Sequence, residues 1–238
     1  MEEAHPVLTT CQRALVTLAI GRPGQNLLKL SGPHFEAYAA RHGYDYIVID
    51  ERRIRHRIQW RKARVNLHLE KYQIGPILDR YERVLYADAD ILLTPNCPDF
   101  CTIVPAEKLG VVEDPAGELA WKRDEEMAKM QERFGPLEAD ALPYFNAGLL
   151  MLSKAHRELF RFDPKRLQAG RWPEQTALNY YSAKWKLPCQ YMDARANYLP
   201  GHAGWGEQQN RLAAWAVHYA GPEAKPFMQQ DLYEAAQK

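Results

Sequence analysis

From residue 14 onward the chain alternates short β-branched apolar runs with longer amphipathic stretches. Ala14 to Ile20, apolar except for Thr17, stops at Gly21-Arg22-Pro23-Gly24, the pattern of a buried strand followed by a glycine-rich turn. Leu27, Leu30, Phe35, Tyr38 and Ala39 then recur at helical spacing over Asn26 to Arg41, and Gly32-Pro33 interrupts them, so a straight single helix is not expected. Tyr44 to Asp50 predicts a second strand, Val65 to Leu78 a helix interrupted at Gly75-Pro76, and Arg83 to Leu93 a third strand. Further strands are expected at Leu109 to Val112, Tyr144 to Leu152 and Ala214 to Tyr219, with helices at Gly117 to Arg133 and Glu174 to Ala183. Strands alternating with helices predict a mostly parallel central sheet flanked by helices. The chain has no repeat or linker, so one α/β domain over residues 1–238, with its core at about 14–227, is expected.

Composition narrows the function classes. With 46% hydrophobic residues, 238 residues can bury one large core. Lysine and arginine total 31 against 30 aspartates and glutamates, so no global field favours a polyanion, and nucleic acid is not an expected partner. The basic stretch from Arg52 to Arg64, with Trp60 interleaved, reads as a solvated loop; a lip for an anionic acceptor or the nucleotide diphosphate, a nucleic-acid patch and a peripheral membrane contact are its alternatives. No apolar run near the N-terminus approaches the ~20 residues of a membrane span, and the first thirteen residues do not form an export signal. Four cysteines are too few for a disulfide framework, so a cytoplasmic setting is expected. Cys97 and Cys101 lack the second pair that a structural metal site needs.

The chemistry-bearing pattern is Asp88-Ala89-Asp90, set between Val84-Leu85-Tyr86 and Ile91-Leu92-Leu93. In a continuous strand, period-two geometry points both carboxylates to one side, where they repel unless a cation answers them. A hard divalent ion, Mn2+ or Mg2+, does so, with its remaining positions open to water and substrate phosphates. The apolar flanks imply a crevice at the sheet edge, where α/β proteins bind ligands.

On these residues the segment Glu82 to Leu93 resembles the Asp-x-Asp segment of GT-A fold nucleotide-sugar glycosyltransferases, above all glycosyltransferase family 8, with the fungal-type galactosyl/mannosyltransferases second. Further islands follow in the family's order. Tyr144 to Leu152 is similar to its Phe-Asn-Ala-Gly strand, which implies that Asn146 and Gly148 lie beside the transferred sugar. His218-Tyr219-Ala220-Gly221 with Lys225-Pro226-Phe227 is similar to its late motif, which implies His218 as third metal ligand beside Asp88 and Asp90, and Gly221 and Lys225 near the diphosphate. Glu174-Gln175-x-x-Leu178-Asn179 resembles a segment whose glutamine lies under the anomeric carbon. Lys71, 17 residues before Asp88, matches a basic residue on the nucleotide-sugar, and Asp114 an acceptor-binding aspartate. Three features depart from the family: one extra residue before Lys225, glutamate in place of aspartate at 174, and a strand-one loop without acidic or aromatic base-stacking residues.

The resemblance implies a metal-dependent, retaining hexosyltransferase that uses a nucleotide-diphosphate sugar, UDP-sugar favoured, and a carbohydrate or glycoconjugate acceptor. Gln175, Glu174 and Asn146 would surround the reacting carbon. Front-face attack is preferred to a covalent intermediate on Glu174, because a neutral amide at Gln175 is a poor nucleophile. The Gly117 to Arg133 helix would pack Leu119, Met127 and Met130 inward and could double as an acceptor wall; Trp205 could stack on a sugar or anchor a loop. The alternatives are a sugar nucleotidyltransferase and a catalytically silent sugar-binding protein.

Overall fold

Two central strands alternate their side chains between two cores. β1 (Arg13–Leu18) sends Ala14 and Val16 to one face and Leu15 to the other; β3 (Arg83–Ala87) sends Val84 and Tyr86 one way and Leu85 and Ala87 the other. Both faces are buried, as expected of a sheet covered on two sides. A computed structural model describes residues 12–54, 67–115, 117–138, 142–161 and 172–235. With β2 (Asp45–Ile49), β5 (Leu109–Glu113), β6 (Phe145–Ser153) and β7 (Cys189–Tyr191), these strands form one sheet in the order β2-β1-β3-β6-β5-β7. Only β6 runs against its neighbours: it pairs antiparallel with β3 (Tyr86 opposite Leu150) and with β5 (Glu113 opposite Phe145). The sheet is thus mostly parallel, as expected. Among the described residues no helix is long and apolar enough to cross a membrane.

The predicted third strand is corrected. Arg83 to Leu93 is not one strand: β3 ends at Ala87, Asp88 to Ile91 form a turn in which the Ile91 N–H donates to the Asp88 carbonyl (2.9 Å), and β4 (Ile91–Leu93) starts a second sheet. The two aspartates therefore lie on a turn, and period-two geometry does not govern them. The turn is pinned from both sides, by Ser31 Oγ on the Ala89 carbonyl (2.9 Å) and by the Tyr219 N–H on the Asp90 carbonyl (2.9 Å).

Two predicted breaks are also corrected. α1 (Gly21–His42) runs unbroken through Gly32-Pro33, because burial of Phe35, Tyr38 and Ala39 outweighs the bond lost at Pro33. The Gly21 to Gly24 segment is the helix's first turn, where a Cβ on Gly24 would meet the Ala19 backbone at 2.8 Å; the glycine serves close helix–strand packing. In place of one helix from Val65, a 3-10 segment (Leu67–Gln73) precedes α2 (Ile74–Leu78), which contains Gly75-Pro76 near its start, where a proline's missing N–H costs nothing. Of the basic stretch, residues 55–64 lie outside the described residues.

α3 (Phe100–Ile103), α4 (Ala120–Phe134) and α5 (Pro173–Lys184) follow; Met130 of α4 packs on Ala177 and Tyr180, with Met127 beside them. The C-terminal part adds α6 (Gln208–Ala213), β8 (Ala216–His218) and α7 (Lys225–Ala235). β8 pairs antiparallel with β4, placing Ile91 opposite His218. Beneath it Arg211 and Asp231, both fully buried, make a two-pronged ion pair (2.8 and 3.0 Å), and the Tyr219 hydroxyl donates to Asp231 (2.8 Å). Arg211→Ala strands a buried carboxylate and is expected to cost about 3–5 kcal/mol of unfolding free energy in denaturant titrations. A cost near zero would show that this pair does not hold β8 in place.

Candidate active site

The site forms where β3 ends, because four elements meet there: the Asp88–Ile91 turn, the start of β6, β8 and the 3-10 segment Leu67–Gln73. Asp88, Asp90 and His218 each offer a ligand atom within 4.8 Å of the others. Among the described residues they are the one His/Cys/Asp/Glu group so arranged, and Cys97 and Cys101 take no part. His218 Nε2 lies 3.4 Å from Asp90 Oδ1. Three hard or borderline donors at that spacing fit Mn2+ or Mg2+.

Each carboxylate is set by a neighbour. Asp88 donates its backbone N–H to the Gly148 carbonyl (2.8 Å), while its side chain accepts from the Tyr86 hydroxyl and from Lys71 Nζ (3.2 Å). Burial, reinforced by Asp88, holds the Tyr86 hydroxyl protonated and hence a donor. The Lys71 ammonium also reaches the Ala147 carbonyl (3.1 Å) and Glu174 (3.7 Å). Burial alone would depress its pKa, but Asp88 and Glu174 outweigh that and raise it. Burial would likewise raise Asp90; His218 and Lys225 prevail and keep its carboxyl below the usual range. Lys225 Nζ contacts Asp90 and the Tyr219 carbonyl (2.8 Å), brought back by Gly221 at a left-handed φ of 86°.

The structure also gathers the other predicted residues. Gln175 at the start of α5 accepts from the Ala147 N–H (3.0 Å) and donates to Asp114 Oδ2 (3.2 Å). One turn on, Asn179 bonds both the Phe145 N–H (2.8 Å) and its carbonyl (2.9 Å), so the two amides together hold β6 in place. Asp114 is paired with Arg123 (3.0 Å), a residue that sequence reasoning passed over. Glu174 is buried and its Oε2 has no hydrogen-bond partner among the described residues. Asn146 Oδ1 accepts from the Gly148 N–H (2.8 Å) and from Asn197 Nδ2 (3.0 Å). Asn197 is missing from the sequence reading, since nothing in Ala194-Arg195-Ala196-Asn197 marks it. Tyr86 could have been found, two residues before Asp88 at the end of the same apolar run, where its hydroxyl reaches the carboxylate. Trp205 packs against Tyr198 and Tyr219 and so serves as a loop anchor.

The sequence matches no family model and no curated protein. Its architecture, however, is shared with solved structures. A glycosyltransferase involved in glycosylation of the major capsid of PBCV-1 matches at a TM-score of 0.59 and 15% identity, covering 91% of this chain and 99% of that one. The galactosyltransferase LgtC, solved with donor and acceptor sugar analogs, matches at a TM-score of 0.58 and 16% identity, covering 93% and 95%. The bifunctional glycosyltransferase WbbM matches at 0.61 and 15%, covering 96% of this chain and 50% of that one. The chain therefore has the GT-A fold that its Asp-x-Asp, Phe-Asn-Ala-Gly and late histidine segments led us to expect.

Proposed function

We propose that the protein is a metal-dependent, retaining hexosyltransferase that moves a sugar from a nucleotide diphosphate, with UDP favoured, to a hydroxyl of a carbohydrate or glycoconjugate acceptor. The observation that carries this reading is the convergence of Asp88, Asp90 and His218 at the end of β3, in a fold shared with glycosyltransferases.

Charge at the site supports it. The carboxylates of Asp88, Asp90 and Glu174 face the ammonium groups of Lys71 and Lys225, which leaves one net negative charge. A divalent cation turns that balance positive, which suits a diphosphate. Asp88, Asp90 and His218 would hold Mn2+ or Mg2+, which would supply the charge that stabilises a departing nucleotide diphosphate. Lys71 and Tyr86 hold the Asp88 oxygens in place by hydrogen bonds. Lys225, 32% exposed at its side chain, is placed to leave Asp90 for an incoming phosphate.

The amide of Gln175 is committed at both ends, to Ala147 and Asp114, so it positions the strand and the acceptor carboxylate and does not attack carbon. That favours front-face attack by the acceptor, which retains the anomeric configuration. Glu174 Oε2 is buried without a donor among the described residues, which suits a sugar hydroxyl. Asn146, Gly148, Asp114 and Gly221 complete the walls.

Thermal melts against UDP- and GDP-sugars, each with and without Mn2+, test the reading. A rise in Tm that requires both nucleotide-sugar and metal is expected by mass action. A rise with nucleoside triphosphate plus sugar phosphate instead would identify a nucleotidyltransferase, and no rise with any nucleotide would leave a sugar-binding protein on this fold.

A further inference from the structure

We infer that Asn197 is a positioning residue that fixes the tautomer of His218, through a directed relay of hydrogen bonds that starts at the backbone of Gly148. The inference rests on the proposed role of His218 as a metal ligand.

The direction of the relay follows from its first member. A backbone N–H is a donor and nothing else, so the side-chain atom of Asn146 that meets the Gly148 N–H at 2.8 Å is its oxygen. The atom of Asn197 lying 3.0 Å from that oxygen must donate, so it is Nδ2. Asn197 therefore turns its oxygen to His218 Nδ1, 3.0 Å away, and Nδ1 must carry the proton. In the neutral ring the lone pair is then on Nε2, the nitrogen that faces Asp90 Oδ1 at 3.4 Å. A lone pair opposite a carboxylate oxygen is repulsive unless a cation or proton sits between them.

All three side chains are buried: Asn197 is fully enclosed, and Asn146 and His218 nearly so. The amides have no water to turn toward, and a reversal of either one would leave donor facing donor or acceptor facing acceptor, at a cost of about 1–3 kcal/mol for each unsatisfied buried group. The backbone of Gly148, whose N–H starts the relay that orients His218, also accepts from the Asp88 N–H through its carbonyl. One residue of β6 thus sets both sides of the cluster. Partners of this kind on a ligating histidine typically contribute 10–100-fold to metal affinity.

The test uses the full chain, with 15N-labelled histidine NMR on the metal-free protein and Mn2+ titration followed by electron paramagnetic resonance. His218→Ala assigns the ring signals. In the unmodified protein Nδ1 is expected to carry a proton; a His218 ring protonated at Nε2 alone overturns the inference, whatever the metal does. Asn197→Leu removes both relay bonds and is expected to weaken Mn2+ binding by about 10–100-fold. Asn197→Asp gives up the donor toward Asn146 but keeps an acceptor for Nδ1, so it is expected to lower Tm yet hold Mn2+ affinity within a few-fold. Loss of affinity in both variants in proportion to lost stability would make Asn197 merely structural and overturn the inference, as would unchanged affinity in Asn197→Leu. Unchanged affinity in His218→Ala would instead overturn the metal-ligand reading on which it stands.

Discussion

On the proposed mechanism, Asp90→Ala and His218→Ala are each expected to lower donor turnover by about a thousandfold or more, because each would remove a ligand from the cation that would stabilise the departing diphosphate, an effect of about 4 kcal/mol. Release of UDP from the donor sugar, with water as acceptor, is the measurement, since it requires no knowledge of the natural acceptor. The stability of Asp90→Ala should change little in comparison. Asp90 accepts from Lys225, a partly exposed partner that water can solvate in its place, and the turn itself is held through backbone atoms by Ser31 and Tyr219. A near-unmodified rate in either variant would remove the cluster from the reaction.

Gly148→Ala is expected to be as damaging as loss of a ligand, although it adds a single methyl group. A Cβ there would lie 2.3 Å from Cε1 and 2.8 Å from Nδ1 of His218, and 2.8 Å from Asn146 Oδ1. The backbone at Gly148 does not need a left-handed φ, so by chain entropy alone the substitution would stabilise the fold by about 0.4–1 kcal/mol. Steric overlap reverses that sign. β6 is buried along its whole length between two strands and cannot retreat, so His218 and Asn146 must move. Overpacking of this kind costs about 1–3 kcal/mol in denaturant melts. Mn2+ affinity measured on the same variant should fall together with stability. Unmodified affinity would show that the ring of His218 is free to shift without consequence.

The site was more legible in the sequence than the path that builds it. Asp88, Asp90 and His218, 130 residues apart at their extremes, were recognisable from short islands, and the fold brings them within 4.8 Å. Strand positions were visible because buried strands are near-continuous apolar runs, as in Val84 to Ala87 and Leu149 to Leu152. The same signal hid the turn at Asp88–Ile91, since apolar residues continue on both sides of it and hydropathy carries no mark of a change of sheet. The unbroken course of α1 through Pro33 was hidden for another reason: local propensity opposes it, and the packing of Phe35 and Tyr38 that overrides it is tertiary. Asn197 was invisible because its role depends on partners 51 and 21 residues away, with no local pattern to announce them. Short elements such as α3, α6 and β7 carry too few residues for any period to be read.

The reversed course of β6 has a bearing on how such a chain can diversify. Glu113 and Phe145 are register partners, and the Asp114 N–H donates to the Tyr144 carbonyl at 2.9 Å, so the excursion between them leaves and re-enters the sheet at adjacent points. For a loop with ends already fixed together, doubling its length adds only about 0.6 kcal/mol of closure entropy. This excursion, α4 included, is therefore a natural cassette: insertions, deletions or a transplant from another chain must meet two neighbouring strand ends and cover Ala177 and Tyr180 of α5, while Asp88, Asp90 and His218, held by other elements, keep their places.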